Sequence, residues 1–69
     1  MKYRIKIRAV LDPSWSQWLG GLDLSSVEED GVWITTLVVE TPDSPALFGI
    51  LDRIRDMNLT LVSVNQVNE

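Results

Sequence analysis

The segment KYRIKIRAVL, residues 2 to 11, constrains the fold more than any other feature of the sequence. Apolar Tyr3, Ile5 and Ile7 alternate there with basic residues, and a period of two is typical of a β-strand with one buried face. Such a strand needs neighbouring strands and a second layer over its apolar side. The sequence therefore predicts a sheet that is covered on one face.

Three more strands are predicted from β-branched and apolar runs. Residues 22 to 28 and 32 to 40 form two of them, and the intervening Glu29-Asp30-Gly31 indicates a tight hairpin turn. Residues 32 to 40, VWITTLVVE, are apolar or β-branched on both faces, which is typical of a central strand. The last strand is predicted over residues 59 to 67.

Two helices are predicted. The first is short: Ser14 and Gln17 form a capping box, or else Asp12 caps a helix that begins at Pro13, and the glycines at 20 and 21 end it. The tryptophans at 15 and 18 share one face of this helix, and we interpret them as a lid over the core because so short a helix needs apolar contacts to hold it.

The second helix follows the turn TPDSP, with Asp43 or Ser44 as its N-cap and Pro45 at its first position. It is predicted to run to about Met57, with Asn58 as a left-handed C-cap. Its apolar stripe consists of Leu47, Ile50, Leu51 and Ile54.

The element order predicts a single α+β domain over residues 1–69 with a ferredoxin-like βαββαβ fold. In that fold a four-stranded antiparallel sheet carries a short first helix and a long second helix on one face. Only about ten residues separate the first two strands, whereas such crossovers usually take a dozen or more. An alternative therefore stays open, in which the first three strands form a meander with a helical insertion.

Composition excludes several kinds of chemistry. The chain has no cysteine and no histidine, so disulfides, thiol nucleophiles, cysteine-containing zinc sites and imidazole-based catalysis are excluded. The ten acidic residues show no spacing typical of a cation loop or of a tuned acid and base pair. We expect no catalytic residue, no metal and no cofactor, and we expect that the protein is not an enzyme.

The apolar runs are far shorter than the ~20 residues of a membrane-spanning helix, and the first ten residues do not form a signal-peptide core. A cytoplasmic location and no membrane partner are therefore expected.

Four of the six basic residues lie on one face of the first strand, namely Lys2, Arg4, Lys6 and Arg8. A basic strand near an aromatic side chain is one way in which sheet surfaces bind RNA. The net charge of −4 and the small number of possible phosphate contacts argue against it. We do not expect nucleic-acid binding beyond weak contact with RNA.

The apolar content of the third and fourth strands exceeds what one layer of helices would cover, so we expect a homo-oligomer, with a dimer favoured. Copies would meet through the open sheet face or by extension of an edge strand. The candidate interface residues are Trp33, Leu37, Val39, Lys2, Arg4, Lys6 and Arg8.

Several short strings give the sequence a family likeness. YRI, the tryptophan pair at 15 and 18, GL at 21 to 22, PALFGIL, IRD and LVSVN resemble a group of short, stand-alone bacterial proteins. Members of that group have no assigned activity. The resemblance therefore implies a unit of folding, and we interpret the chain as a non-catalytic interaction or accessory protein.

The sequence also resembles, more distantly, the amino-acid-binding ACT regulatory domains. Asp43, Pro45, Leu47, Ile50 and the pair Ser63-Val64 carry this resemblance, although Ala46 stands where those domains have glycine. It implies a small-ligand regulatory role as the alternative function. The charged end of the ligand would lie at the backbone N–H groups of Ser44, Ala46 and Leu47, at the start of the helix.

Overall fold

A computed structural model of the chain describes residues 1–12, 14 and 21–67. Their regular elements, in chain order, are β1 (Lys2–Arg8), β2 (Gly21–Glu29), β3 (Val32–Glu40), α1 (Ser44–Asp56) and β4 (Thr60–Val67). The four predicted strands are therefore confirmed.

The strands form one antiparallel sheet in the order β2-β3-β1-β4. β3 and β1 lie in the centre, as predicted for β3 from its apolar character on both faces. β2 and β4 are the two edges. Because β1 pairs with β3 and β4 but not with β2, the alternative meander of the first three strands is wrong.

The predicted ferredoxin-like βαββαβ fold with two helices is also wrong. The described residues contain four antiparallel strands and a single helix, α1. The physical reason lies in the first connection: β1 and β2 lie on opposite sides of β3, and only residues 9 to 20 join them. This length lies at the lower limit of the dozen or so residues that such a crossover usually takes. The predicted helix, with Trp15 and Trp18, lies outside the described residues.

The β2–β3 hairpin forms as its sequence predicts. Glu29 pairs with Val32, so the loop contains only Asp30 and Gly31. Both have positive φ, 51° and 80°. Positive φ at both central positions is the type I′ turn, whose twist matches that of the flanking strands, and Asp-Gly is among its preferred sequences. This turn fixes the register of the two strands.

The ends of α1 are set by the predicted side chains. The Asp43 carboxylate accepts a hydrogen bond from the Ala46 N–H at 3.0 Å, and Pro45 lies in the first turn, where no backbone donor is needed. Asn58 has a φ of 60°, and this left-handed residue directly after the Met57 C-cap ends the helix.

The core lies between the sheet and α1. β1 contributes the apolar half of its alternation, β3 contributes Leu37 and Val39, and α1 contributes Leu47 and Ile54. The buried hydrophobic side chains are Tyr3, Ile5, Ile7, Leu11, Leu37, Val39, Leu47 and Ile54. The period of two in the first strand is therefore confirmed as the origin of the core face.

Two threonines are buried with these apolar groups. Thr35 shares a hydrogen bond of 2.8 Å with the Ser26 hydroxyl and donates another to the Ala9 carbonyl. The Thr41 hydroxyl has no hydrogen-bond partner in the described part of the chain. Its backbone is nevertheless paired, because the Thr41 N–H donates to the Met1 carbonyl at 2.8 Å. The two hydroxyls are equally hidden from water, but only that of Thr35 is satisfied.

Candidate functional site

The open face of the sheet carries the basic row of β1. Arg4, Lys6 and Arg8 are exposed, and Lys2 is half-buried. Alternate residues of a strand lie roughly 6.8 Å apart, so the row extends along the whole length of β1. The predicted placement of these four residues on one exposed side of the strand is confirmed.

Uncharged residues border the middle of this row. Arg4 lies between Val38 of β3 and Asn65 of β4, and the neighbours of Lys6 on the same two strands are Thr36 and Ser63. Within the described ranges no carboxylate lies in ion-pair distance of Arg4, Lys6 or Arg8. At one end Lys2 lies opposite Glu40, and on edge strand β2 Asp23 lies opposite Val38. The open face therefore has a basic band flanked by acids on one side.

This band is a weak candidate for binding a polyanion. It could contact at most four phosphates, and the affinity of such contacts falls steeply as salt releases the counterions. The chain as a whole carries a net charge of −4, which repels polyanions at long range. The half-buried state of Ile34, Thr36 and Val38 indicates that the stems of the basic side chains shield part of this face.

The three other candidate interface residues do not lie on the open face. Leu37 and Val39 are fully buried against α1, so neither side chain is available to a partner. Trp33 is 44% exposed at the hairpin end of β3. It shares the side of the sheet on which Leu37 and Val39 lie, because alternate residues of a strand face the same way.

The start of α1 is the candidate anion site formed by Ser44, Ala46 and Leu47. The Asp43 carboxylate already accepts from the Ala46 N–H, and it places a negative charge where an anionic ligand would bind. The Leu47 side chain is buried in the core. The helix start is therefore occupied by its own cap, and the geometry offers little support for a ligand there.

Replacing Asp43 with alanine is expected to lower the free energy of unfolding by about 1 kcal/mol, because the Ala46 N–H loses its capping acceptor. Thermal unfolding followed by circular dichroism measures the effect. Asp43→Ser is the matched control, since serine also caps and should retain most of the stability. Equal losses in the two variants would contradict a capping role for Asp43.

Asp12 is an exposed carboxylate with a shifted pKa. It accepts a hydrogen bond from the Ser14 backbone N–H at 2.9 Å, and this bond, with a further contribution from the Ser14 side chain, lowers the pKa of Asp12 below its ordinary value. The stabilisation is present above the ordinary pKa of aspartate and is lost as the pH falls through the lowered pKa. Asp12 therefore stays ionised near neutral pH, which suits a local cap and not a proton donor.

No group of three or more potential metal ligands forms among residues 1–12, 14 and 21–67. In the same described residues no helix combines the length and apolarity that crossing a bilayer requires.

A second surface lies between α1 and the edge strand β4. A groove with a volume of about 340 Å³ is lined there by Leu51, Asp52, Ile54, Arg55, Leu59 and Leu61. Leu61 and Val62 on β4 are 44% and 47% exposed. Phe48, at 61% exposure, lies on the same flank of α1 as Leu51 and Asp52, because residues three and four apart are neighbours on a helix.

The sequence analysis does not predict this surface as a site. The feature that could have predicted it is the lack of charged residues from Leu59 to Asn68, but this feature indicates an interface only when β4 is known to be an edge strand. Hydropathy alone does not distinguish an edge strand from a central one.

Comparison with known proteins gives a family match. The family profile described as Domain of unknown function (DUF8691) matches residues 2–65. No curated protein and no solved structure matches the chain. These findings leave the likeness to ACT domains without support.

Proposed function

Because the chain belongs to the DUF8691 family, whose description states no function, we propose a function from its own surface: it is a non-catalytic accessory module that works by self-association. It would act in the cytoplasm as a homodimer.

One observation carries this proposal. Among the described residues, as many large hydrophobic side chains are exposed as are buried in the core, eight in each group. The exposed ones are Met1, Val10, Val27, Val32, Trp33, Phe48, Leu61 and Val62. Single exposed apolar residues are ordinary, but three of these, Phe48, Leu61 and Val62, lie on α1 and the adjacent edge strand β4. A concentration of this kind marks an interaction site.

Stability favours the same conclusion. A chain of 69 residues buries only about 60% of the surface that it exposes when unfolded, and domains of this size are often reinforced by disulfides, metals or partner chains. Disulfides are excluded because the sequence has no cysteine. Association with a second copy would add buried apolar area to a small core.

The proposal is tested by the mass of the protein in solution. Sedimentation velocity over about 1 to 100 μM is expected to show a species with twice the 7.8 kDa mass of one chain, whose fraction rises with concentration by mass action. Light scattering coupled to gel filtration gives the mass independently of shape. A mass of one chain over the whole range would refute self-association.

A further inference from the structure

The two edges of the sheet differ in how they are protected against pairing with another chain. Proteins block exposed edges with charged residues, proline and bulges. β2 carries Asp23, Glu28 and Glu29 and has a bulge between Gly21 and Asp23. β4 has the sequence TLVSVNQV, without a charge or a proline. Of the two edges, β4 is the one on which a partner strand meets no electrostatic barrier.

The irregularity in β4 lies near its start. The pairing of β1 with β4 shifts between Lys6 and Ile7, opposite Val62, and is continuous from Ser63 to Val67. These five consecutive residues form a regular edge, and no other described strand pairs with its outer side. Asn65 is the middle residue of this segment.

From these features we infer that β4 pairs antiparallel with β4 of a second copy, around a two-fold axis near Asn65, which joins the two four-stranded sheets into one. This inference rests on the proposed self-association and names its interface. A two-fold axis makes the contact closed and identical for both chains. Pairing through β2 would instead bring Glu28, Glu29 and Asp23 of one chain close to the same acids of the other, which like-charge repulsion opposes.

The exposed flank of α1 fits the same axis. An axis normal to the sheet keeps both helices on one side of the joined sheet. Phe48 lies nine residues before Met57, about 13 Å along the helix, and Ser63 lies four residues after Leu59, about 13 Å along the strand. Phe48 is therefore level with Ser63, the first residue of the regular edge, two residues from the proposed axis. The edge strand of a second copy would pass beside this flank of α1 and cover part of the ring.

A second copy suits this edge as a partner because both halves of the contact are then neutral at the strand and apolar at the helix. Like-charge repulsion within the basic band of β1 also disfavours the open face as the interface. If two open faces met with their β1 strands stacked, Arg4, Lys6 and Arg8 would face the same residues of the partner, at a cost from like charge.

The test introduces one carboxylate at different places and measures the dimer dissociation constant by sedimentation equilibrium. Asn65→Glu places two carboxylates next to the axis and is expected to raise this constant at least tenfold. The monomer should tolerate the change because Arg4 lies beside Asn65 on the sheet. Phe48→Glu should weaken the dimer as well. The monomer should tolerate this change because the ring is already exposed in one chain.

Two matched variants are controls. Ser25→Glu makes the same kind of change on the other edge strand, and Lys6→Glu reverses a charge in the middle of the open face. Neither should change the dissociation constant by more than about twofold. If Lys6→Glu dissociates the dimer and Asn65→Glu does not, the interface is the open face, and the inference fails while self-association stands.

A dimer that all four variants leave intact would also overturn the β4 interface. A wild-type chain that stays monomeric would overturn both the inference and the proposed function. If Asn65→Glu fails to fold, cysteine trapping decides instead, since the chain has no cysteine of its own. Asn65→Cys should form a disulfide-linked dimer on mild oxidation, and Ser25→Cys should not. Failure of Asn65→Cys to cross-link a folded dimer would count against the inference.

Discussion

Replacing Leu37 with alanine is expected to lower the free energy of unfolding by about 2 to 5 kcal/mol, the range for truncating a buried leucine. Leu37 is fully buried in central strand β3, where it pairs with Ile5 on one side and Leu24 on the other. Strands hold it on both sides, so the surroundings cannot collapse easily into the cavity. A domain of this size has a total stability of only several kcal/mol, and much of that would be lost.

Urea unfolding followed by tryptophan fluorescence and circular dichroism measures this loss. Val38→Ala is the matched control: it removes methyl groups from the next residue of the same strand, which points to the open face and is only half-buried. Its cost should stay below about 1 kcal/mol. Equal costs at the two positions would contradict the assignment of one core face to β3.

The same substitution is expected to have opposite effects at the two buried threonines. Thr35→Val removes a hydroxyl that donates to the Ala9 carbonyl and bonds with Ser26, and it leaves these groups without their partner. The expected loss is about 1 to 3 kcal/mol. Thr41→Val removes a buried hydroxyl that has no partner among the described residues. Stability should rise by about 1 kcal/mol, because an unsatisfied polar group no longer has to be buried.

The midpoints of thermal unfolding distinguish the two cases, since 1 kcal/mol corresponds to roughly 4 to 8 °C in a domain of this size. Each variant is the control for the other, because valine has nearly the shape of threonine. Both midpoints falling by the same amount would show that shape rather than hydrogen bonding determines the effect.

Local patterns predicted the strands and α1 well, and the physical reason is that these patterns act within a few residues. The alternation around Ile5 sets the core face of β1, Asp30-Gly31 sets the hairpin, and Asp43 with Asn58 sets the ends of α1. Each is a short-range preference that the tertiary structure has no reason to override.

The errors concern long-range arrangement. The element order predicts a two-helix architecture, whereas the described residues contain one helix, α1. Because β3 is apolar on both faces, the sequence pattern predicts Leu37 and Val39 as interface residues, which is wrong. Periodicity does not tell which face of a central strand meets the helix, and only the pairing with β1 shows that these two residues share the side of Ile5 and Tyr3.

The sequence alone does not show that β4 is an unprotected edge, because recognising an edge strand requires the strand order. A neutral strand in the middle of a sheet would need no explanation, whereas the same strand at an edge does. The candidate anion site at Ser44, Ala46 and Leu47 illustrates the opposite case. There the sequence predicts the capping residue Asp43 correctly. Its consequence for a ligand follows only from the structure, in which the Ala46 N–H already donates to the Asp43 carboxylate.

The position of β1 in the sheet also bears on the order of events in folding. β1 lies between β3 and β4, and its pairing with β4 joins residues far apart in the sequence, such as Arg8 with Thr60. Contacts of such long sequence separation form slowly, because a long loop must close before they stabilise anything. The β2–β3 hairpin, which closes over Asp30 and Gly31, is therefore expected to form early, and docking of β4 against β1 is expected to limit the rate of folding.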